Sequence, residues 1–156
     1  MSVPNTIKIA REEGYHTDQI GTCADGRQFM AFVVASLPLE KLRAPEGWER
    51  HKQWHAVLHT FDASGKHRKT DVWTAGTTSD GEQQVIERAR AKLAEMLSVL
   101  GPVKYGDVKV SLFRVEIDGR AFGLVDASEP EEDYEAIDLL PNQLRFFAPW
   151  EGTYDT

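Results

Sequence analysis

Three times along this chain a β-rich apolar run meets a short glycine turn and then a second β-rich run. QIGTC and QFMAFVVAS flank Asp25-Gly26. QWHAVLHTF and HRKTDVWTAG flank Asp62–Lys66. DVKVSLFRVEI and AFGLVDAS flank Asp118-Gly119-Arg120. Glycine takes up the positive φ of a tight hairpin turn without steric cost, and the flanking runs favour extended backbone. TIKIA at the start alternates as a further strand would. The three hairpins differ in length and loop, so they do not form a repeat.

Between the second and third hairpins the period changes. Val85, Ile86, Ala89, Leu93, Met96, Leu97 and Leu100 recur at spacings of three and four. That spacing predicts one amphipathic helix over residues 80–100, with Ser79 and Glu82 as a capping box, Glu87 and Arg90 paired on the wet face, and Gly101-Pro102 as the stop. The face of Ile86, Leu93 and Leu97 is expected to pack on the sheet. Strands in antiparallel pairs with one helix among them predict an α+β fold: a mostly antiparallel sheet built from hairpins, with one long helix on one face. No linker divides residues 1–156, and one domain is expected. Residues 37–48 hold Pro38, Pro45 and Gly47 and read as a loop.

Composition narrows the function classes. Charged residues make up 28% and hydrophobic ones 41%, as in a globular chain. The longest apolar run, FMAFVVASL, is far too short to span a bilayer, so no membrane association is expected. MSVPNTIKIAREEG has no basic stretch followed by an apolar one, so no secretory leader is expected. A single cysteine, Cys23, leaves no internal disulfide framework and fits a reducing, cytoplasmic setting. The net charge of −7 argues against nucleic acid as a partner.

That charge is uneven. Residues 126–156 carry nine acids and one base, Arg145. Residues 37–70 carry seven bases, four acids and four of the five histidines. Such asymmetry can steer a charged partner. Glu131, Glu132, Asp133 and Tyr134, with Trp150 and Tyr154, are the candidate partner-binding residues, acids for encounter with a basic protein and aromatics as anchors.

Other chemistry is weakly signalled. His51, His55 and His59 are spaced i, i+4, i+8, which on a helix could share a metal. WHAVLHTF reads as a strand, and there His55 and His59 lie ~13 Å apart, too far for one ion. Ala56 stands where a zinc protease motif needs glutamate. No metal and no cofactor are expected. Cys23 is expected to be a half-buried strand residue rather than a nucleophile. Ser64 in ASGK is a hairpin loop, since Thr60 occupies the first glycine position of a phosphate loop. EPEEDYEAID has few apolar neighbours to raise a carboxyl pKa for acid–base work, and its spacing does not match a calcium loop. Trp54 and Trp73 are expected to pair across the second hairpin. Trp48 and Trp150, in Pro/Gly-rich segments, read either as lids on the core or as partner anchors, with lids favoured.

AREEGYHT, GTTSDGE and APWEGTYDT together resemble a family of small, mostly actinobacterial proteins, some of which carry the label formate hydrogenlyase regulatory protein. The resemblance spans nearly the whole chain. It implies a soluble regulator that acts on another protein, and it assigns no residue a role. The expected function is therefore a non-catalytic cytosolic protein-binding module, either a regulator or an immunity-type protein that neutralises a toxin. The alternative is a small enzyme or ligand-binding domain with a pocket between sheet and helix, using His55, His59 and Glu116, or similar residues, converging from different strands. The sequence carries no signal for oligomeric state.

Overall fold

A computed structural model describes residues 3–38, 47–141 and 144–156. Glu40, Lys41, Arg43, Pro45 and Glu46 of the expected 37–48 loop, and the Trp48 side chain, lie outside the described residues. The strands are β1 (Thr6–Ile9), β2 (Gln19–Cys23), β3 (Gln28–Ser36), β4 (Gln53–Phe61) and β5 (His67–Thr77), then β6 (Val103–Tyr105), β7 (Val108–Ser111), β8 (Phe113–Ile117) and β9 (Arg120–Asp126), then β10 (Ile137–Leu140), β11 (Leu144–Phe146) and β12 (Tyr154–Asp155). One α-helix, α1 (Glu82–Ser98), lies between β5 and β6.

The fold is α+β with antiparallel pairing throughout the described strands, as the hairpin pattern predicts. The strands divide into two five-stranded sheets, ordered β5-β4-β3-β2-β6 and β12-β11-β10-β9-β8, and a separate β1-β7 pair. The run DVKVSLFRVEI is the reason. It breaks at Leu112, whose N–H donates to the Asn5 carbonyl at 2.9 Å. Its first half, β7, pairs with β1, while its second half, β8, forms the third hairpin with β9. The buried Gln28 side chain binds β7 to β3, its amide nitrogen donating to the Lys109 carbonyl at 2.9 Å and its oxygen accepting from the Lys109 N–H at 2.8 Å. The second turn presses against β7 as well: Gly65 has φ +95° and a side chain there would collide with the Lys109 carbonyl, so only glycine fits.

Alternation on β4 sorts the core. Val57 and Phe61 face the second sheet and join Met30, Phe32, Phe122, Leu124, Leu139 and Phe146 in the main core. Ala56 and Leu58 face α1, where Leu93 and Leu97 meet Phe29 and Ala31. The layers thus run helix, sheet, sheet. Val85, Ala89, Leu93 and Leu97 are the buried positions of α1. Ile86, expected on that face, is only half-buried at its margin.

The helix starts two residues later than its periodicity suggests. A short 3-10 turn, Thr78–Asp80, precedes it. Here the Asp80 carboxylate accepts from the Thr77 backbone N–H at 2.9 Å and from its hydroxyl at 3.1 Å, replacing the expected Ser79–Glu82 arrangement. The exposed ion pair of α1 is Lys92–Glu95 at 3.6 Å; the expected Glu87–Arg90 pair is not among those of the described residues. Trp73 lies opposite Ala56, and Trp54 opposite Gly76, so the two tryptophans do not face each other.

Leu93 is 2% exposed between α1 and the first sheet. Leu93→Ala should lower unfolding free energy by about 2–5 kcal/mol, the range for buried leucine truncation. Ile86→Ala should cost about 1 kcal/mol or less. Urea titrations of the two variants against wild type check both values.

Candidate functional site

His55 and His59 occupy inward positions of β4, the face that meets the second sheet. Both are fully buried, at 2% and 0% exposure. Hydroxyls from adjacent strands pair three of their four ring nitrogens, while His59 Nε2 is buried without a hydrogen-bond partner. His55 Nε2 is 2.7 Å from Ser36 Oγ and its Nδ1 is 2.9 Å from Thr74 Oγ1. His59 Nδ1 is 2.7 Å from Thr70 Oγ1, which also lies 2.7 Å from His67 Nε2. A threonine hydroxyl has one proton, so it donates to one of these imidazoles and accepts from the other. Aromatic rings close the cluster: Phe122 meets His55 edge-on at 5.5 Å, Phe113 meets His59 at 4.8 Å, and His67 stacks on Phe113 at 4.2 Å.

Burial disfavours the charged imidazolium. It pushes the His55 pKa down to about 4, helped by the nearby Arg120 charge, and the His59 pKa down to about 3, helped by His67. These histidines are neutral packing elements joined to Ser and Thr. The proposed convergence with Glu116 does not form, because Glu116 is exposed on β8 and pairs with Arg114 at 3.5 Å. Among the described residues, no three His, Cys, Asp or Glu side chains are grouped to hold a metal ion. Cys23 closes β2 as a buried thiol, and burial raises its pKa. ASGK is the β4–β5 turn, in which Asp62 Oδ1 accepts from the Ser64 and Lys66 backbone N–H groups at 3.0 and 2.9 Å.

The acidic segment follows β9 and leads into β10. A 3-10 turn, Pro130–Glu132, is closed by a bridge between Glu129 and Tyr134. Glu129 N–H donates to the Tyr134 carbonyl at 2.8 Å, Glu132 N–H to the Glu129 carbonyl at 3.0 Å and Asp133 N–H to the Pro130 carbonyl at 3.2 Å. Asp133 caps the turn in the left-handed region, at φ 53°. Glu129, Glu131, Glu132 and Asp133 are all exposed. At its base, Asp126 accepts from the Ser128 N–H at 2.9 Å.

Beneath the turn sits an arrangement that sequence reasoning missed. Arg145 on β11 clasps the buried Asp138 of β10, Nε to Oδ1 at 2.7 Å and Nη2 to Oδ2 at 2.9 Å. Its Nη1 donates to the Tyr134 hydroxyl at 3.1 Å. The Asp138 carboxylate, and after it the Tyr134 hydroxyl, raise the Arg145 pKa further above its ordinary value. The one base of the acidic segment is thus committed internally. The only signal for this in sequence was Arg145 alone among nine acids.

The remaining candidate residues, Trp150 and Tyr154, lie at the margin of the main core. Trp150 is half-buried against the main core, as the lid reading expects, and so is Tyr154. The Tyr154 ring lies 6.0 Å from Phe146, edge-on, and its hydroxyl is buried. The structure brings Glu131, Glu132, Asp133 and Tyr134 together on one turn and sets Trp150 and Tyr154 into the core margin.

A second surface feature lies on the helix side. A cleft of about 440 Å³ opens between the outer face of β4–β5 and the last turn of α1. The buried Leu58 and Thr60 line it together with Trp73, Met96, Val99 and Leu100 and the charged Arg27, Lys69, Asp71 and Lys92.

No helix of the described residues is long and apolar enough to cross a membrane. Comparison with protein-family models, with curated proteins and with solved structures finds no match to this chain.

The buried histidines make stability depend on pH. The unfolded chain takes up protons on both imidazoles near pH 6.5, whereas the folded chain refuses them down to about 4 and about 3. Stability is therefore undiminished above pH 6.5 and falls as the pH drops below it. By pH 4 each histidine costs on the order of 3 kcal/mol, at about 1.4 kcal/mol per pH unit. The melting temperature should fall steeply from pH 6.5 to 4. His59→Asn, whose amide can still reach Thr70, should flatten that fall by about half. Thermal scans across the pH range, wild type beside variant, check both.

Proposed function

We propose that this chain is a non-catalytic cytosolic binding module whose acidic turn docks a basic surface of a partner protein. The observation that carries this reading is the display of Glu129, Glu131, Glu132 and Asp133 on a turn closed by its own backbone hydrogen bonds. Exposed charges on a fixed frame lose little conformational freedom on docking, which lowers the cost of association. The Arg145–Asp138–Tyr134 clasp supports that frame from below and removes the one local cation that could neutralise it. A negative patch of this kind speeds encounter with a basic partner and suppresses acidic ones. Tyr134, half-buried at the end of the turn, supplies the aromatic contact.

Within this class the reading covers a regulator and an immunity-type protein that neutralises a basic toxin. The regulator label in the family that the sequence resembles points to the same class. The histidine-lined interior favours it over the enzymatic alternative: His55 and His59 lie inside a packed core, with three of their four ring nitrogens taken up by Ser36, Thr70 and Thr74.

A triple variant, Glu131→Lys, Glu132→Lys and Asp133→Asn, tests the reading. Asparagine at 133 tolerates the left-handed conformation. A pull-down from the native host should recover a basic protein with wild type and much less of it with the variant. With that protein purified, the variant should associate about tenfold more slowly at low salt, and the gap should close near 0.5 M salt. Equal recovery, or a dissociation-only defect that salt leaves untouched, removes the acidic turn as the docking surface.

A further inference from the structure

The cleft between β4–β5 and α1 is independent of the acidic turn and has a different chemistry. Trp73 is 37% exposed and Val99 is 84% exposed, two of the four large exposed hydrophobic side chains among the described residues, and both line this one cleft. Leu58, Met96 and Leu100 continue the apolar surface inward. Apolar groups so gathered in a concavity of about 440 Å³ match the size and lining of small-molecule sites. Met96 brings a flexible side chain that adapts to an inserted group.

The charged lining residues supply the polar selection. Of the four charged residues that line the cleft, three are cations and one, Asp71, is an acid. Lys92 is the best placed: its ammonium lies 5.8 Å from the centre of the Trp73 ring, which fixes it at the cleft wall. Each cation has an acid nearby, Arg27 with Asp25 at 2.8 Å, Lys69 with Asp71 at 3.3 Å and Lys92 with Glu95 at 3.6 Å. These pairs are solvent-exposed apart from the half-buried Lys92, and such pairs are weak enough to be exchanged for a better-placed anion. Asp25 and Glu95 do not line the cleft, so its own wall carries an excess of two positive charges.

We infer that the cleft binds a small carboxylic acid with an apolar aromatic or acyl body. The body lies against Trp73, Met96 and Leu58. The carboxylate meets Lys92, with Lys69 and Arg27 in the same lining. This site and the acidic turn lie on different layers of the fold, so either can fail without the other.

Naphthalene-2-carboxylate and decanoate are the probes, with 2-naphthalenemethanol as the uncharged comparison. Titration followed by NMR reads the Met96 methyl and Trp73 indole signals. Both acids should saturate the site in the micromolar to low millimolar range, with the largest shifts at Met96 and Trp73, and the alcohol should bind about tenfold more weakly. Lys92→Gln should remove the preference for acid over alcohol while the melting temperature holds. If that variant does not fold, Lys69→Gln, on a side chain 70% exposed, replaces it and should reduce the preference. The triple variant of the acidic turn should bind the probes as wild type does. No saturation up to about 5 mM, shifts centred elsewhere, or equal binding of acid and alcohol would each overturn the assignment; the last would mark the cleft as an apolar docking surface for protein.

Discussion

The structure depends on β4 being buried on both faces. Seven consecutive residues, His55–Phe61, are removed from water, because α1 covers one side and the second sheet the other. A strand in that position is ordinarily a continuous apolar run. Here two of its four inward positions are histidines, and a buried imidazole costs free energy unless its nitrogens are paired. Ser36 on β3 and Thr70 and Thr74 on β5 supply that pairing to three of the four nitrogens from both neighbouring strands. The hydrogen bonds therefore tie the register of β3, β4 and β5 to these rings and leave His59 Nε2 as the one nitrogen of the four without a partner. A slip of one residue would turn every histidine toward the helix and leave three hydroxyls facing the core unpaired.

What the sequence could reveal follows the range of the interactions involved. The Asp25-Gly26 and Asp118-Gly119 turns and the stripe on α1 are local patterns, and each is found where its residues place it. The division into two sheets is not local. It rests on Leu112 bonding to Asn5 and on β1 pairing with β7, about a hundred residues away, and nothing in DVKVSLFRVEI marks the break. VKY, which becomes β6, was hidden for a similar reason: three residues acquire strand character only by pairing with Gly21–Cys23, where Gly21 has no side chain to block the Lys104 carbonyl. Trp54 and Trp73 are expected as cross-strand partners, yet the strand register sets them opposite Gly76 and Ala56.

The candidate sites divide in the same way. The acids of the turn are contiguous in sequence, so Glu131, Glu132 and Asp133 could be singled out by composition alone. Their frame could not, since it needs Arg145 and Asp138 to meet across two strands. The cleft combines Arg27 from one turn, Leu58 and Trp73 from a hairpin, and Lys92 and Met96 from the helix. Only the docking of α1 on β4 and β5 brings these together, so no spacing in the chain announces them. Trp150 reads in sequence as a core lid or a partner anchor, and both it and Tyr154 pack half-buried against the main core.

Charge acts on this protein in two opposed ways as the pH changes. Protonating the surface carboxylates relieves the self-repulsion of a chain at −7, which by itself favours the compact state at lower pH. The same protons press on His55 and His59, whose burial allows no charge until the pH is near 4 or below. The first effect is spread over exposed groups and screened beyond about 8 Å at physiological salt. The second is concentrated on two sites shielded from both water and salt, and it is comparable to the whole stability of an ordinary domain, about 5–15 kcal/mol. The histidines therefore decide the outcome.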